Sequence, residues 1–445
     1  MKSWMDVPLP EVLVIRGGRV IDPASGRDEV AGVVVERGVI RRVGPGAGEG
    51  YAAAGAQVID ARGLVVCPGF IDMHVHLREP GQEYKEDIAS GTRAAAQGGF
   101  TAVAAMPNTR PIIDTPELVA FVRTQAERGG AARVHPIGAV TKGSAGQELA
   151  PLGEMAEGGA AAFSDDGRSV ASAELMRLAL LYAGQFGKLV IDHCEDETLA
   201  NGGLMHRSRV SSLLGLRGMP GTAEEVVVAR DVLLAEETGG RCHIAHLSTR
   251  RSLEIVRQAK VRGVAVTCEA APHHLVLTDE ELERHPYDPN YKMNPPLRSR
   301  PDVEALRQGL ADGTIDCIAT DHAPHHLDEK ETDFAAAAFG VVGLETALGL
   351  VLTHLVQPGH ITLAQAVERL SLGPARVLRI PGGTLTEGAP ADITLFDPTL
   401  TWRVDPSGFA SRSRNTPFAG WELIGRATHT IVGGRVIMEG GRLLV

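Results

Sequence analysis

Along the middle of the chain, short apolar runs alternate with longer segments whose apolar residues recur at helical spacing. The runs are "LVVCPGFIDMHVH", "FTAVAAMPNT", "ARVHPIGAVT", "GAAAFSDD", "KLVIDHCED", "RCHIAHLST", "VAVTCEAAPHH" and "DCIATDHAPHH". Each suits a buried strand that ends in polar residues. Segments such as "TPELVAFVRTQAERGG" and "SAELMRLALLYAGQFG" between them carry a helix period. Eight strand–helix units in series predict an α/β fold, a closed parallel (β/α)8 barrel of the TIM type rather than an open doubly wound sheet. No glycine-rich phosphate-binding motif follows any run, which argues against a nucleotide fold.

The two ends of the chain read differently. Both are short β-prone runs cut by Gly, Pro and Asp, and both contain "GGRVI", at Gly17–Ile21 and Gly433–Ile437. They are expected to pair into a small β-sandwich, residues 1–65 and 379–445, around a barrel of residues 66–378.

Composition narrows the function. The net charge is −11 with no long basic run, which disfavours a nucleic-acid or anionic-membrane partner. A small anionic substrate stays open, because metal ions and single arginines set the local field. The 52 glycines and 4% aromatic content suggest tight turns and a core of Val, Leu, Ile and Ala. Cys67, Cys194, Cys242, Cys268 and Cys317 include no CxxC pair, which reads as reduced, buried thiols in a cytoplasmic protein. The N-terminal "MKSWMDVPLPEVLVIRGG" lacks the apolar stretch of a signal peptide, and no segment has the length and apolarity of a membrane span.

The polar residues gather where a barrel works. Function in this architecture sits at the C-terminal ends of the strands, and there stand His74, His76, Asn108, Asp166, His193, His246 and Asp321. The two histidines of "HVH" are two apart, so on a strand both rings face one side. Together with His193, His246 and a carboxylate they make a nitrogen-and-oxygen donor set suited to Zn²⁺. The bland alternatives are a pair of satisfied core histidines, a turn at Asp165–Asp166 and a helix cap at Asp321. They lose ground because so many donors end different strands. Adjacent Asp165 and Asp166 point to opposite sides of a strand, so at most one enters the site. Of His322, His325 and His326, one is expected to face substrate. His243, three before His246, is expected to point away from it, and His273 and His274 are not counted as ligands. His135, His206, His285, His354, His360 and His429 lack a ligand-like context.

"PGFIDMHVHLREPG", "MPNT", "FSDDG", "IDHCED", "HIAHLST", "NPPLR" and "TDHAPH" together resemble the amidohydrolase superfamily, and within it the bacterial type I dihydroorotases. The resemblance runs from about residue 10 to the C-terminus. It implies a metal-dependent cyclic amide hydrolase that reversibly converts N-carbamoyl-L-aspartate to dihydroorotate in pyrimidine biosynthesis. It further implies two zinc ions: one on His74, His76 and Asp321, one on His193 and His246, with Asp166 bridging. Related hydantoinases bridge with a carboxylated lysine, and "AFSDDG" has none. A zinc-held water would be the nucleophile and Asp321 the general acid and base. Substrate would meet His76, Arg78, Asn108, Asn294, His325 and the backbone at Phe339 and Gly340. Arg78 has its own rationale, since guanidinium offers a planar fork to a carboxylate. The family also implies a homodimer and an association with aspartate transcarbamoylase. Rival readings are allantoinase or another cyclic amidase, and a non-catalytic scaffold for the transcarbamoylase.

Overall fold

The computed structural model describes residues 3–51 and 55–445; residues 1–2 and 52–54 of the expected N-terminal range lie outside the described residues. Eight parallel strands, Phe70–Val75, Phe100–Ala105, Arg133–Gly138, Ala162–Ser164, Leu189–Asp192, Arg241–Ile244, Val266–Ala270 and Cys317–Ile318, lie side by side in chain order. They are the eight apolar runs. Strands covered on both faces read as continuous apolar sequence rather than as alternation, and Phe70–Val75 is buried throughout. The ring closes through a parallel bridge between Val75 and His322, where the His76 N–H donates to the His322 carbonyl (2.9 Å). Met73, Ala104, Ile137, Ile191, Ala245 and Cys317 belong to one buried apolar cluster, with Val377 and Leu378 of a late helix.

The helices begin where capping chemistry allows. Pro116–Gly129 starts behind Thr115, whose hydroxyl accepts from Leu118 N–H, and Ala173–Gln185 starts behind Ser172 in the same way. No helix among the described residues is long and apolar enough to cross a membrane.

The chain ends build one mixed nine-stranded sheet. Its seam is Val65–Pro68, which runs parallel to Val12–Asp22 and antiparallel to Ile393–Arg403. The run "LVVCPGFIDMHVH" therefore divides: its first half belongs to this sheet and its second opens the barrel. Gly69 makes the break, because a Cβ there would collide with the Thr101 side chain. The two "GGRVI" phrases do different jobs. Gly17–Gly18 falls in a register shift inside a long strand, and Gly433–Gly434 is the turn between Glu422–Val432 and Arg435–Glu439. Between its two long C-terminal strands the chain leaves the sheet. Residues 404–421 carry Phe409 and Phe418 into a cluster with Tyr291, Met293, Phe334 and Val341 beside the barrel mouth.

Candidate metal centre

The mouth of the barrel brings six expected donors together. His74 Nε2 lies 3.3 Å from Asp166 Oδ1 and 3.6 Å from Asp321 Oδ1. His76 Nε2 lies 3.2 Å from Asp321 Oδ1 and 3.6 Å from Asp166 Oδ2. Ligands about 2.1 Å from one tetrahedral ion stand about 3.4 Å apart, so these spacings suit donors around shared cations. His193 Nδ1 and His246 Nε2 face each other at 2.9 Å. His74, His76 and Asp321 form one compact donor group, and His74, Asp166 and His246 a second.

Unmatched atoms sharpen the point. His74 Nε2, Asp166 Oδ1 and His246 Nδ1 are buried and make no hydrogen bond, a costly state for protein groups left to themselves. The donor chemistry, nitrogen and carboxylate oxygen without thiolate, fits a hard-to-borderline divalent cation. The electrostatics agree. Burial opposes ionisation of Asp166, yet His74 and His76 hold it well below the usual carboxylate range. Burial likewise opposes ionisation of Asp321, and His76 and His74 hold it low. His246 is pushed down to about 3 by burial and by His193 and His74, so it offers a neutral ring. Backbone strain accompanies these roles: Arg78, His246 and Asp321 have φ of 60°, 30° and 50°, a region that side chains beyond Cβ adopt only when their surroundings hold them there.

A cavity of about 240 Å³ opens onto the donors. It is lined by His76, Arg78, Asn108, Asp166, His193, His246, Asn294, Asp321, His325, Phe339 and Gly340, with Gly167 and Ala323 completing it. Asn108 Oδ1 meets His76 Nδ1 (2.8 Å), and its amide nitrogen points at Asp166 Oδ2 (3.3 Å). Asn294 Nδ2 lies 3.3 Å from His193 Nε2, while its Oδ1 has no partner. Arg78 is 8% exposed, donates from Nε to the Pro324 carbonyl (3.1 Å), and forms no ion pair among the described residues. His325 lines the cavity with Nε2 on the Phe339 carbonyl (2.7 Å). His326 is half-exposed and caps a short helix, and His322 is buried against Glu86.

Several neighbours are clearer in space than in sequence. Asp165 turns away from the donors and accepts the Val140 and Thr141 N–H groups and the Thr141 hydroxyl; the loop it holds separates its role from that of Asp166. Glu269 was not singled out. Its Oε1 meets His74 Nδ1 (2.6 Å) and the His246 N–H (3.2 Å), and its Oε2 meets His243 Nε2 (3.2 Å). Burial opposes its charge, but His74 and His243 hold Glu269 at about 2. A carboxylate behind a histidine fixes the ring's orientation and tautomer. The only sequence signal was one acid in the apolar strand "VTCEA". Glu195, after His193, was missed as well and accepts from Asn294 Nδ2 (2.8 Å). His243 stays outside both donor groups: its ring meets Glu269 Oε2 and the Thr267 hydroxyl, whereas His246 reaches Glu269 only through its backbone N–H. The strand ends at Ile244 and His246 has a left-handed φ, so the two-residue alternation no longer applies. His274 Nε2 donates to the Pro295 carbonyl (2.8 Å), outside both donor groups.

Comparison with known proteins gives a consistent picture. Residues 63–252 match the family described as "Dihydro-orotase-like". The dihydroorotase of Pelotomaculum thermopropionicum is 57% identical over 96% of this chain and 98% of its own. That of Geobacter metallireducens is 53% identical over 96% and 99%. Among solved structures, the L-hydantoinase (dihydropyrimidinase) of Arthrobacter aurescens superposes with a TM-score of 0.86 at 27% identity, covering 97% of each chain. With this identity over nearly its whole length, the chain belongs to the dihydroorotase family.

Proposed function

We propose that the protein interconverts N-carbamoyl-L-aspartate and dihydroorotate, using two zinc ions. The observation that carries the reading is Arg78: a buried guanidinium on the cavity wall with no carboxylate partner among the described residues. An unpaired buried charge is expensive, and a substrate carboxylate would relieve it. Dihydroorotate brings one; hydantoin, allantoin and dihydrouracil do not.

His74, His76 and Asp321 would hold one ion, His193 and His246 the other, and Asp166 would reach both; the compact His74–His76–Asp321 group and the 2.9 Å approach of His193 to His246 support this reading. A divalent ion there polarises a carbonyl oxygen and makes water acidic near neutral pH. The chain's own groups do the remaining work. Asp321, held as a carboxylate, takes the proton as the water oxygen attacks the ring amide carbon, then gives it to the departing ring nitrogen. In the synthetic direction it takes the proton from the attacking carbamoyl nitrogen. Arg78 grips the substrate carboxylate, with Asn108 and the free Oδ1 of Asn294 fixing the ring. His325 joins them by exchanging its bond to the Phe339 carbonyl.

The deciding experiment is hydrolysis of dihydroorotate by purified protein, with chelator and after zinc is restored, beside allantoin and dihydrouracil. Turnover of dihydroorotate alone, with two zinc ions per chain, is expected. Preference for a neutral ring makes the protein a different cyclic amidase, and absence of both metal and turnover makes it a scaffold. The same reading includes a cytoplasmic homodimer and a contact with aspartate transcarbamoylase, which gel filtration with and without that enzyme tests.

A further inference from the structure

Two buried lysines stand behind one wall of the cavity. Lys292, 1% exposed, donates from Nζ to the carbonyls of Phe334 (2.7 Å), Ala335 (3.0 Å) and Ala337 (2.6 Å). Its ammonium also lies 4.4 Å from the centroid of the Phe339 ring. Lys330, 5% exposed, donates to the carbonyls of Ala338 (2.9 Å), Gly340 (3.0 Å) and Lys292 (3.4 Å). Burial pulls Lys292 down to about 8 and Lys330, helped by Lys292, to about 7. Segment 334–340 has neither helix nor strand, so these ammonium groups satisfy carbonyls that no secondary structure pairs.

A third residue ties the same wall from the other side. Asn415 comes from the C-terminal segment that leaves the terminal sheet. Its Nδ2 donates to the carbonyls of Ala323 and Gly340 (both 3.0 Å), and its Oδ1 accepts the His325 N–H (3.2 Å). Ala323, His325, Phe339 and Gly340 all line the cavity. Lys330 and Asn415 meet at the Gly340 carbonyl, which accepts from both Lys330 Nζ and Asn415 Nδ2.

We infer that Lys292, Lys330 and Asn415 are positioning residues for substrate: they hold the Phe339–Gly340 wall of the cavity that Arg78 also lines, and the two lysines add positive charge behind it that favours an anionic ring over a neutral one. This rests on reading the cavity as the dihydroorotate site.

The test is steady-state kinetics and metal content for Lys330→Met, Lys292→Met and Asn415→Ser. The expected result is a KM for dihydroorotate raised about tenfold or more, with kcat within about threefold and metal content unchanged, the pattern of lost binding rather than lost chemistry. Unchanged KM in folded variants overturns the inference. So does a joint fall of kcat and metal content, which would mark these residues as general supports of the fold. If Lys292→Met does not fold, the milder Asn415→Ser decides. Failure of the unaltered protein to turn over dihydroorotate refutes the functional reading instead. Amide hydrogen exchange across 334–340 then still tests the positioning claim: it must rise in the variants, and unchanged exchange overturns it.

Discussion

Two buried clusters of metal-competent side chains sit back to back on the fifth barrel strand, and only one is open. His193 faces the mouth. Asp192 and Cys194 flank it in sequence and meet Asp231 on the helix Thr222–Thr238, forming a donor group as compact as those at the mouth. In this outer cluster the carboxylates are already matched. Asp192 accepts from the Ser169 hydroxyl (2.7 Å) and from Arg230 (3.5 Å), Asp231 accepts from Arg230 Nε (2.7 Å), and the Cys194 thiol lies 3.7 Å from both acids. At the mouth, by contrast, His74, Asp166 and His246 each keep a buried atom without a hydrogen bond. The difference teaches that clustered donors do not define a metal site. What sets the mouth apart is that polar atoms of three clustered donors are left unanswered there.

The largest effect expected on turnover comes from chelation. Stripping metal should abolish dihydroorotate hydrolysis and lower the melting temperature, because an ion at a thousand times its dissociation constant adds about 4 kcal/mol to the folded state. Zinc should restore both. An unchanged melting curve on chelation would erase the contrast between the clusters. Next comes Asp321→Asn, which keeps the shape but cannot take a proton. A loss of at least about a thousandfold in kcat is expected, within the range for general acid–base groups. Near-normal kcat would remove Asp321 from the proton-transfer role.

How legible this contrast was in the sequence depends on distance along the strand. The eight runs and the "HVH" pair were readable because strand alternation and burial are local rules. The choice between Asp165 and Asp166 was not, since a period of two says only that they differ. The structure separates them through the loop at Val140–Thr141, which Asp165 holds. Glu269 escaped for a related reason: its partners His74 and His246 come from the first and sixth strands, and nothing local marks their meeting. Lys292, Lys330 and Asn415 escaped because their partners are backbone carbonyls, which leave no trace in side-chain pattern.

Arg78→Ala should follow in magnitude. It removes a charge-assisted fork, which accounts for about 2 kcal/mol, or about thirtyfold in kcat/KM for dihydroorotate. Metal content should be unaffected, since Arg78 bonds the Pro324 carbonyl and none of the donors. Unchanged kinetics would sink the carboxylate argument. A smaller effect is expected from Glu269→Gln, which keeps one acceptor for His74 but loses its charge. Behind a metal-bound histidine such a change weakens affinity for the ion by about tenfold or more, measured by competition with a chromophoric chelator.

The last test addresses the outer cluster itself. Arg230 is the cation that closes it, reaching Asp192, Asp231, the Val170 carbonyl (2.8 Å) and the Ser169 hydroxyl (3.3 Å). Arg230→Met keeps the bulk of the side chain and removes the charge, which leaves the neighbouring buried acids Asp192 and Asp231 without their cation. Breaking a fully buried pair costs about 3–5 kcal/mol. The Arg230 side chain keeps 20% exposure, so solvent screening should bring the loss of unfolding free energy to about 2 kcal/mol. Turnover per folded molecule and metal content should not move, because none of the atoms freed by the change faces the mouth. Denaturant unfolding and metal analysis on one preparation measure both quantities. A fall in metal content alongside stability would show that the outer cluster supports the donors through His193, and the two clusters would then be one site.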